Sequence, residues 1–96
     1  MTKIANRDVR EEVKACRAFK ANNVFGERIT PSLYVVYSYG HHFPMYVCLF
    51  GQWYANTDKY SVTTSKHQGQ ANPYVSNILP SNTGMLQKLI DNNRNS

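Results

Sequence analysis

The first apolar residues of the chain recur with helical spacing. Val9, Val13 and Cys16 follow one another at offsets of four and three, which places them on one stripe of a helix. Asn6 is a good N-cap for such a helix, because its side chain can accept from a free backbone N–H of the first turn. The pattern therefore predicts a helix over residues 7–20.

Three runs in the middle of the chain carry the β-branched and aromatic residues typical of strands. They cover residues 33–39, 45–50 and 53–56, and Gly51 with Gln52 fits a two-residue hairpin turn between the last two. A fourth, short edge strand is predicted at residues 60–64. The glycine and proline of residues 26–32 instead predict a connector.

The last third of the chain returns to helical spacing. Ser65 with Gln68 three residues later matches a capping box, so a short helix is predicted over residues 66–71. A loop over residues 73–80 follows, and Thr83 can cap a last helix. The apolar face of that helix comprises Met85, Leu86, Leu89 and Ile90.

This order of elements predicts an α+β single domain with an N-terminal helix, a three- to four-stranded antiparallel sheet and short C-terminal helices. The ordered core is expected over residues 6–90, with a frayed polar tail over residues 91–96. We expect the first and last helices to share one face of the sheet. The other face is expected to be partly open and rich in tyrosine.

Composition adds a preference for acidic partners. The 96 residues carry a formal net charge of +5, which favours nucleic acid or an acidic protein surface as the binding partner. The two cysteines, Cys16 and Cys48, stand among apolar residues and are predicted to be core residues rather than a disulfide. The start of the chain has no apolar signal-peptide region, and no apolar run is long enough to cross a membrane. A cytoplasmic protein without membrane contact is predicted.

Four basic residues repeat along the predicted first helix. Arg7, Arg10, Lys14 and Arg17 lie within about 80° of arc on a stripe beside the apolar one. Such a basic ridge could attract phosphates or carboxylates. The alternative is a solvated face on which Glu11 pairs with its basic neighbours.

A second candidate site is the corner at residues 63–67. If Ser65 caps a helix, the backbone N–H groups that follow it point outward and attract anions. The side chains of this corner would add hydroxyl groups, a positive charge and an imidazole: Thr63, Thr64, Ser65, Lys66 and His67. The alternative is that the hydroxyls only cap the helix and the lysine is solvated.

The histidines and their neighbours suggest two kinds of chemistry. A zinc site is not predicted, because two of the three histidines, His41 and His42, are adjacent and lack further ligands at suitable spacing. A ribonuclease could use His67 and Tyr60 as acid and base, with Lys66 and one of Arg7 or Arg10 for the phosphate.

Tyrosines on neighbouring predicted strands offer the stacking alternative. Tyr34, Tyr46 and Tyr54 could stack unpaired bases if their sheet face is open. They could equally pack as cross-strand pairs, which is the more common arrangement.

Several short sequence motifs form a distinctive pattern along the chain, called the word pattern below. They are YVVYSYG at residues 34–40, Pro44, WYAN at 53–56, KYSVTTSKH at 59–67 and Pro73, after a start with NRDV at 6–9, Phe19 and Phe25. The pattern resembles a small family of bacteriophage and mobile-element reading frames. The resemblance covers most of residues 6–90 and implies a phage or prophage origin and a stand-alone accessory role. It implies no activity, cofactor or catalytic residue.

The leading hypothesis is therefore a non-enzymatic phage-type accessory protein, acting as a host-defence inhibitor. It would bind the acidic surface of a host or phage protein or nucleoprotein complex. It would act in the host cell cytoplasm as a monomer or homodimer, without a cofactor. The alternatives are a direct nucleic-acid-binding domain and a small basic ribonuclease.

Overall fold

The computed structural model describes residues 4–5, 8–41, 43–58, 62–73 and 75–94, and for residues 62–65 it describes the backbone alone. Three helices and six strands are present among these residues. In chain order they are α1 (Val9–Lys14), β1 (Phe19–Lys20), β2 (Val24–Thr30), β3 (Leu33–Ser38), β4 (Pro44–Leu49), β5 (Gln52–Asn56), α2 (Val62–Ala71), β6 (Ile78–Ser81) and α3 (Thr83–Asn93). The predicted α+β class is confirmed. The predicted strand count and several helix positions are wrong.

The strands form one mixed sheet in sequential order from β1 to β6. Each neighbouring pair from β1 to β5 is antiparallel, whereas β6 runs parallel to β5. A parallel pair needs a crossover connection, and α2 lies in the connection between β5 and β6. The loop predicted at residues 73–80 therefore ends in a strand, which the prediction lacks.

Strand β3 lies at the centre, and all six of its residues are buried. Tyr34 and Val36 pack in a core with residues of α1 and α2. Val35 and Tyr37 point to the opposite face and pack in a second core with residues of α3. The prediction that the first and last helices share a face is wrong, because α1 and α3 cover opposite faces. For the same reason the sheet has no open tyrosine face at β3.

Helix α1 is much shorter than the predicted helix over residues 7–20. It ends at Lys14, and the N–H groups of Cys16 and Arg17 donate to the carbonyls of Val13 and Glu12. This pair of bonds, with Cys16 in the left-handed region at φ 54°, is a Schellman ending. The ending turns the chain, so the following residues enter the sheet as β1.

The predicted connector over residues 26–32 is mostly strand β2. Gly26 lies opposite Phe19 of β1 and Val36 of β3. A Cβ atom at Gly26 would come within 2.5 Å of both the Phe19 ring and the Tyr34 hydroxyl oxygen. The glycine is therefore required by close side-chain packing inside a strand, although its residue type suggested a turn.

Helix α2 replaces the predicted edge strand over residues 60–64. Val62, Thr63 and Thr64 have helical backbone, so the prediction of a strand there is wrong, and residues 59–61 lie outside the described part of the chain. The predicted helix over residues 66–71 is confirmed as the second half of α2. The strand propensity of residues 62–64 is weak and is overridden by packing of the helix. The last residue of the helix, Ala71, is fully buried in the core.

The remaining elements differ from prediction by one to three residues. Leu49 pairs with Gln52, so the hairpin turn comprises Phe50 and Gly51 rather than Gly51 and Gln52. Helix α3 is capped by Asn82, whose side chain accepts from the Met85 N–H, rather than by Thr83. The helix continues to Asn93, so ordered helix extends into residues 91–93 of the predicted tail.

Candidate binding surface

Arg10 links two helices instead of standing on a basic surface. Its Nε atom donates to the carbonyl of Asn72 and its Nη2 atom to the carbonyl of Gly69, both at 2.8 Å. Gly69 lies in the last turns of α2 and Asn72 follows the helix. The guanidinium therefore holds α1 against the C-terminal end of α2, where backbone carbonyls attract a positive charge.

The other residues of the predicted basic ridge do not form a helical stripe. Lys14 is exposed at the end of α1. Arg17 lies beyond the helix and forms an ion pair with Glu12 at 2.6 Å, and this hydrogen bond raises the pKa of Arg17 above its ordinary value. Arg7 lies outside the described residues. Of the four residues, Lys14 and Arg17 are the two that the structure places as exposed cations.

The residues of the predicted corner at 63–67 do not form one site either. Thr63, Thr64 and Ser65 belong to the backbone of α2, and their side chains lie outside what the structure describes. The prediction that Ser65 caps this helix is wrong, because α2 already includes Val62. The predicted anion site at a helix N-terminus therefore loses its structural basis.

The last two residues of that corner point in different directions. Lys66 is exposed, whereas His67 is only 4% exposed. The Nδ1 atom of His67 lies 2.9 Å from the Oγ atom of Ser38, and its ring contacts the ring of Tyr39 at 5.4 Å between centroids. Burial, and to a lesser extent the charge of Lys66, lowers the pKa of His67. The imidazole is a buried partner of β3 rather than a surface group.

A cavity of about 320 Å³ opens where one end of the sheet meets the end of α1. The turn between β2 and β3 and the turn between β4 and β5 meet here, because the N–H of Phe50 donates to the carbonyl of Ser32 at 3.0 Å. We call this feature the Phe50 cavity. Its lining residues are Cys16, Arg28, Pro31, Ser32, Tyr34, Cys48, Phe50 and Gly51.

An aromatic ring and a guanidinium stand on the wall of the Phe50 cavity. Phe50 is 72% exposed and has a left-handed backbone at φ 50°, and Gly51 follows at φ 81°. Positive φ at both residues of a two-residue loop is typical of a type I′ turn, which favours asparagine and glycine. A bulky residue at such an angle is strained, and strained residues concentrate at functional positions. Arg28 is exposed and donates to the carbonyl of Pro31 at 2.8 Å.

Buried groups support that wall from below. The hydroxyl of Tyr34 donates to the carbonyl of Arg17 at 2.8 Å, so β3 holds the chain segment that follows α1. Burial raises the pKa of the Tyr34 hydroxyl well above its ordinary value, which keeps it protonated and able to donate. The cavity is therefore built from a fixed backbone, with Phe50 and Arg28 presented to solvent.

A second concave site lies on another part of the surface, with a volume of about 270 Å³. Its lining residues are Lys20, Phe25, Glu27 and His41. His41 is 65% exposed on its side chain, and its Nε2 atom lies 3.1 Å from each carboxylate oxygen of Glu27. Phe25 stacks on Tyr37 at 5.1 Å, and burial, followed by the Glu27 charge, raises the pKa of Tyr37 to about 12. Glu27 places a carboxylate in this site, which makes the site a weaker attractor of anions than the Phe50 cavity.

The sequence did not predict either concave site, because the prediction misplaces strand β2 and the turn at Phe50. Arg28 and Glu27 lie in the segment predicted as a connector, so their positions on a strand could not be inferred. Phe50 was placed inside a strand, one residue away from its true place in the turn. Its signal was present, because the glycine at 51 fits the second position of a type I′ turn as well as the first position of the predicted one.

Comparison with protein-family models, curated proteins and solved structures found no match for this chain. None of the helices that the structure describes is long and apolar enough to cross a membrane. Across residues 4–5, 8–41, 43–58, 62–73 and 75–94, no three side chains of the metal-binding types come together as a candidate site.

Proposed function

We propose that this chain is a non-enzymatic accessory protein that binds an acidic surface of a protein or nucleoprotein target through the Phe50 cavity. The observation that supports this proposal most directly is the pairing of an exposed, strained phenylalanine with an arginine beside a concave surface. Buried aromatic and arginine anchors supply most of the binding energy in typical protein interfaces.

The charge of the whole chain fits such a target. A formal net charge of +5 would raise the rate of encounter with an acidic partner. Arg28 would then pair with a carboxylate at the rim, while Phe50 enters an apolar pocket on the partner. Fixed backbone on both sides of the cavity reduces the entropy that is lost on binding.

The biological setting of the proposal rests on the word pattern of the sequence. The resemblance to bacteriophage and mobile-element reading frames supports an accessory role in the host cytoplasm, and inhibition of a host-defence complex is our specific proposal for that role. A monomer or a homodimer would serve.

The two alternatives receive less support from the geometry. Tyr34 and Tyr46 are 1% and 5% exposed, so they cannot stack bases on an open face. His67, the histidine of the ribonuclease hypothesis, is buried against Ser38. Direct binding of nucleic acid through Phe50 and Arg28 is kept as an outcome of the experiment below.

The experiment begins with capture of partners from host lysate, with and without nuclease, and continues with titration of the captured partner. The central variant is Phe50→Asn, which suits the left-handed angle of the turn and so preserves the fold. We expect this variant to weaken binding by roughly tenfold or more, as loss of a central aromatic anchor does. Arg28→Gln should weaken binding more at low salt than at high salt, because salt screens the interaction between charges.

A matched control tests whether binding uses the Phe50 cavity. Lys88→Gln removes an exposed charge on α3, and we expect unchanged affinity for that variant. Equal affinity of Phe50→Asn and the parent protein would exclude the Phe50 cavity as the contact surface. Loss of all partners on nuclease treatment, with a steep salt dependence, would favour direct binding of nucleic acid instead.

A further inference from the structure

Cys16 occupies a backbone position that usually belongs to glycine. It is the residue after the cap of α1, with φ 54°, in the Schellman ending described above. Glycine or asparagine is the usual choice there, because other side chains meet the backbone in the left-handed region. The residue in this position lines the wall of the Phe50 cavity.

The second cysteine lines the same cavity. Cys48 belongs to β4 and is 9% exposed, whereas Cys16 is partly exposed. Cys16 packs against the buried cluster of side chains that includes Cys48. Burial, followed by the neighbouring Cys16, raises the pKa of the Cys48 thiol to about 11. Two thiols from separate elements therefore meet where solvent can reach one of them.

We propose that Cys16 and Cys48 are an oxidative modification site, at which a hydroperoxide converts the two thiols into an intramolecular disulfide. This inference goes beyond the binding function and does not depend on it. The sequence favoured two inert core cysteines, but neither the left-handed position of Cys16 nor its contact with Cys48 is visible without the fold.

The reaction balances as a two-electron oxidation of the dithiol. Cys16, the more exposed thiol, loses its proton and attacks one oxygen of the hydroperoxide; the O–O bond breaks and an alcohol, or water from hydrogen peroxide, leaves. Cys16 then carries a sulfenic acid. The Cys48 sulfur attacks the Cys16 sulfur, the S–O bond breaks, and the hydroxide leaves with the Cys48 proton as water.

The oxidation would change the cavity that the two residues line. The disulfide would tie the segment after α1 covalently to β4, across a stretch that Tyr34 now holds through one hydrogen bond to Arg17. Two variants each remove one thiol without disturbing the fold. Cys16→Gly suits the left-handed angle, and Cys48→Ala removes one sulfur atom from the core.

The test treats the full chain with hydrogen peroxide, blocks the remaining thiols with iodoacetamide, and measures the intact mass. We expect the parent protein to lose two hydrogen atoms and to react with no iodoacetamide, and we expect dithiothreitol to restore both thiols. Cys48→Ala should instead gain oxygen at Cys16. Cys16→Gly should keep its single thiol reduced for much longer than Cys48→Ala does.

Three results would overturn the proposal. In the first, the parent protein keeps both thiols under conditions that oxidise Cys48→Ala. In the second, it gains oxygen without losing hydrogen. In the third, it forms only intermolecular disulfides, seen as a dimer on a non-reducing gel. Circular dichroism of each variant confirms that the comparison is made between folded proteins.

Discussion

The two faces of the sheet differ in which side chains make their polar contacts. On the face covered by α3, the buried side chains are aliphatic apart from Tyr37: Leu33, Val35, Val47, Leu86 and Ile90. Helix α3 makes long-range polar contacts through the partly buried Thr83 and Gln87. On the face covered by α1 and α2, such contacts also come from side chains of the buried core. These contacts are made by Arg10 to the carbonyls of Gly69 and Asn72, Tyr34 to that of Arg17, Tyr46 to that of Gln68, and His67 to Ser38.

The polar contacts fix the geometry of one face of the sheet more sharply than that of the other. Apolar packing tolerates small changes in position, because it is not directional. Side-chain hydrogen bonds to backbone carbonyls fix both distance and direction. The α1 and α2 face therefore has a more sharply defined geometry, and the Phe50 cavity lies beside that face.

Removal of a fully buried aliphatic side chain from α3 should have the greatest effect. Leu86 is fully buried, so Leu86→Ala should lower the free energy of unfolding by about 3 kcal/mol, through lost burial and a residual cavity. Urea unfolding followed by circular dichroism measures this change. Met85→Ala is the matched control: Met85 is 58% exposed, and its loss should cost less than about 0.5 kcal/mol. Equal costs would mean that α3 does not pack as described.

Addition of a single methyl group should disturb the other face. Gly26→Ala places a Cβ atom 2.5 Å from both the Phe19 ring and the Tyr34 hydroxyl, and we expect a loss of about 2 kcal/mol in the free energy of unfolding. Gly69→Ala in α2 is the control, because its Cβ atom meets nothing within 4 Å. That variant should gain about 0.5 to 1 kcal/mol in stability. A neutral Gly26→Ala would contradict the tight packing between β1 and β3.

A change of pH should act on the α1 and α2 face through His67. Because burial lowers the pKa of His67 below its ordinary 6.5, the folded protein favours the neutral ring. The unfolded chain then binds more protons, so stability is fully present above about pH 6.5 and falls as pH decreases toward the lowered pKa. Urea unfolding at several pH values shows this decline. His67→Gln should remove it, whereas His41→Gln, at an exposed residue, should retain it. A decline unchanged in His67→Gln would contradict a buried, neutral imidazole.

The parts of the fold that the sequence predicted are those with a local signal. Strands β3 to β5 and helix α3 show their apolar pattern within a few residues, and their predicted bounds lie within about three residues of the observed ones. Helix α1 ends early because Cys16 adopts a left-handed angle, which its residue type does not favour. Strand β2 depends on Gly26 making room for side chains from β1 and β3, and no pattern within β2 shows that requirement.

The candidate site was less predictable than the fold. The charges of Arg10 and Arg17 are visible in the sequence, but their partners lie in α2 and in the preceding helix turn. His67 looks like a surface residue beside Lys66, and only the packing of α2 on β3 turns it inward. Residues that become a site by meeting across distant elements leave no signal in the spacing of any one segment.

The two outer strands of the sheet restrict how this protein can meet other molecules. Strand β1 has two residues, and the N–H of Ile4 already donates to the carbonyl of Lys20 on its outer side. Strand β6 has four residues and contains Pro80, which has no N–H to offer. Neither border is a good template for an added strand, so fibre-like growth and edge-to-edge pairing are disfavoured. In the part of the chain that the structure describes, contacts through turns and helices are therefore favoured over strand addition at either border.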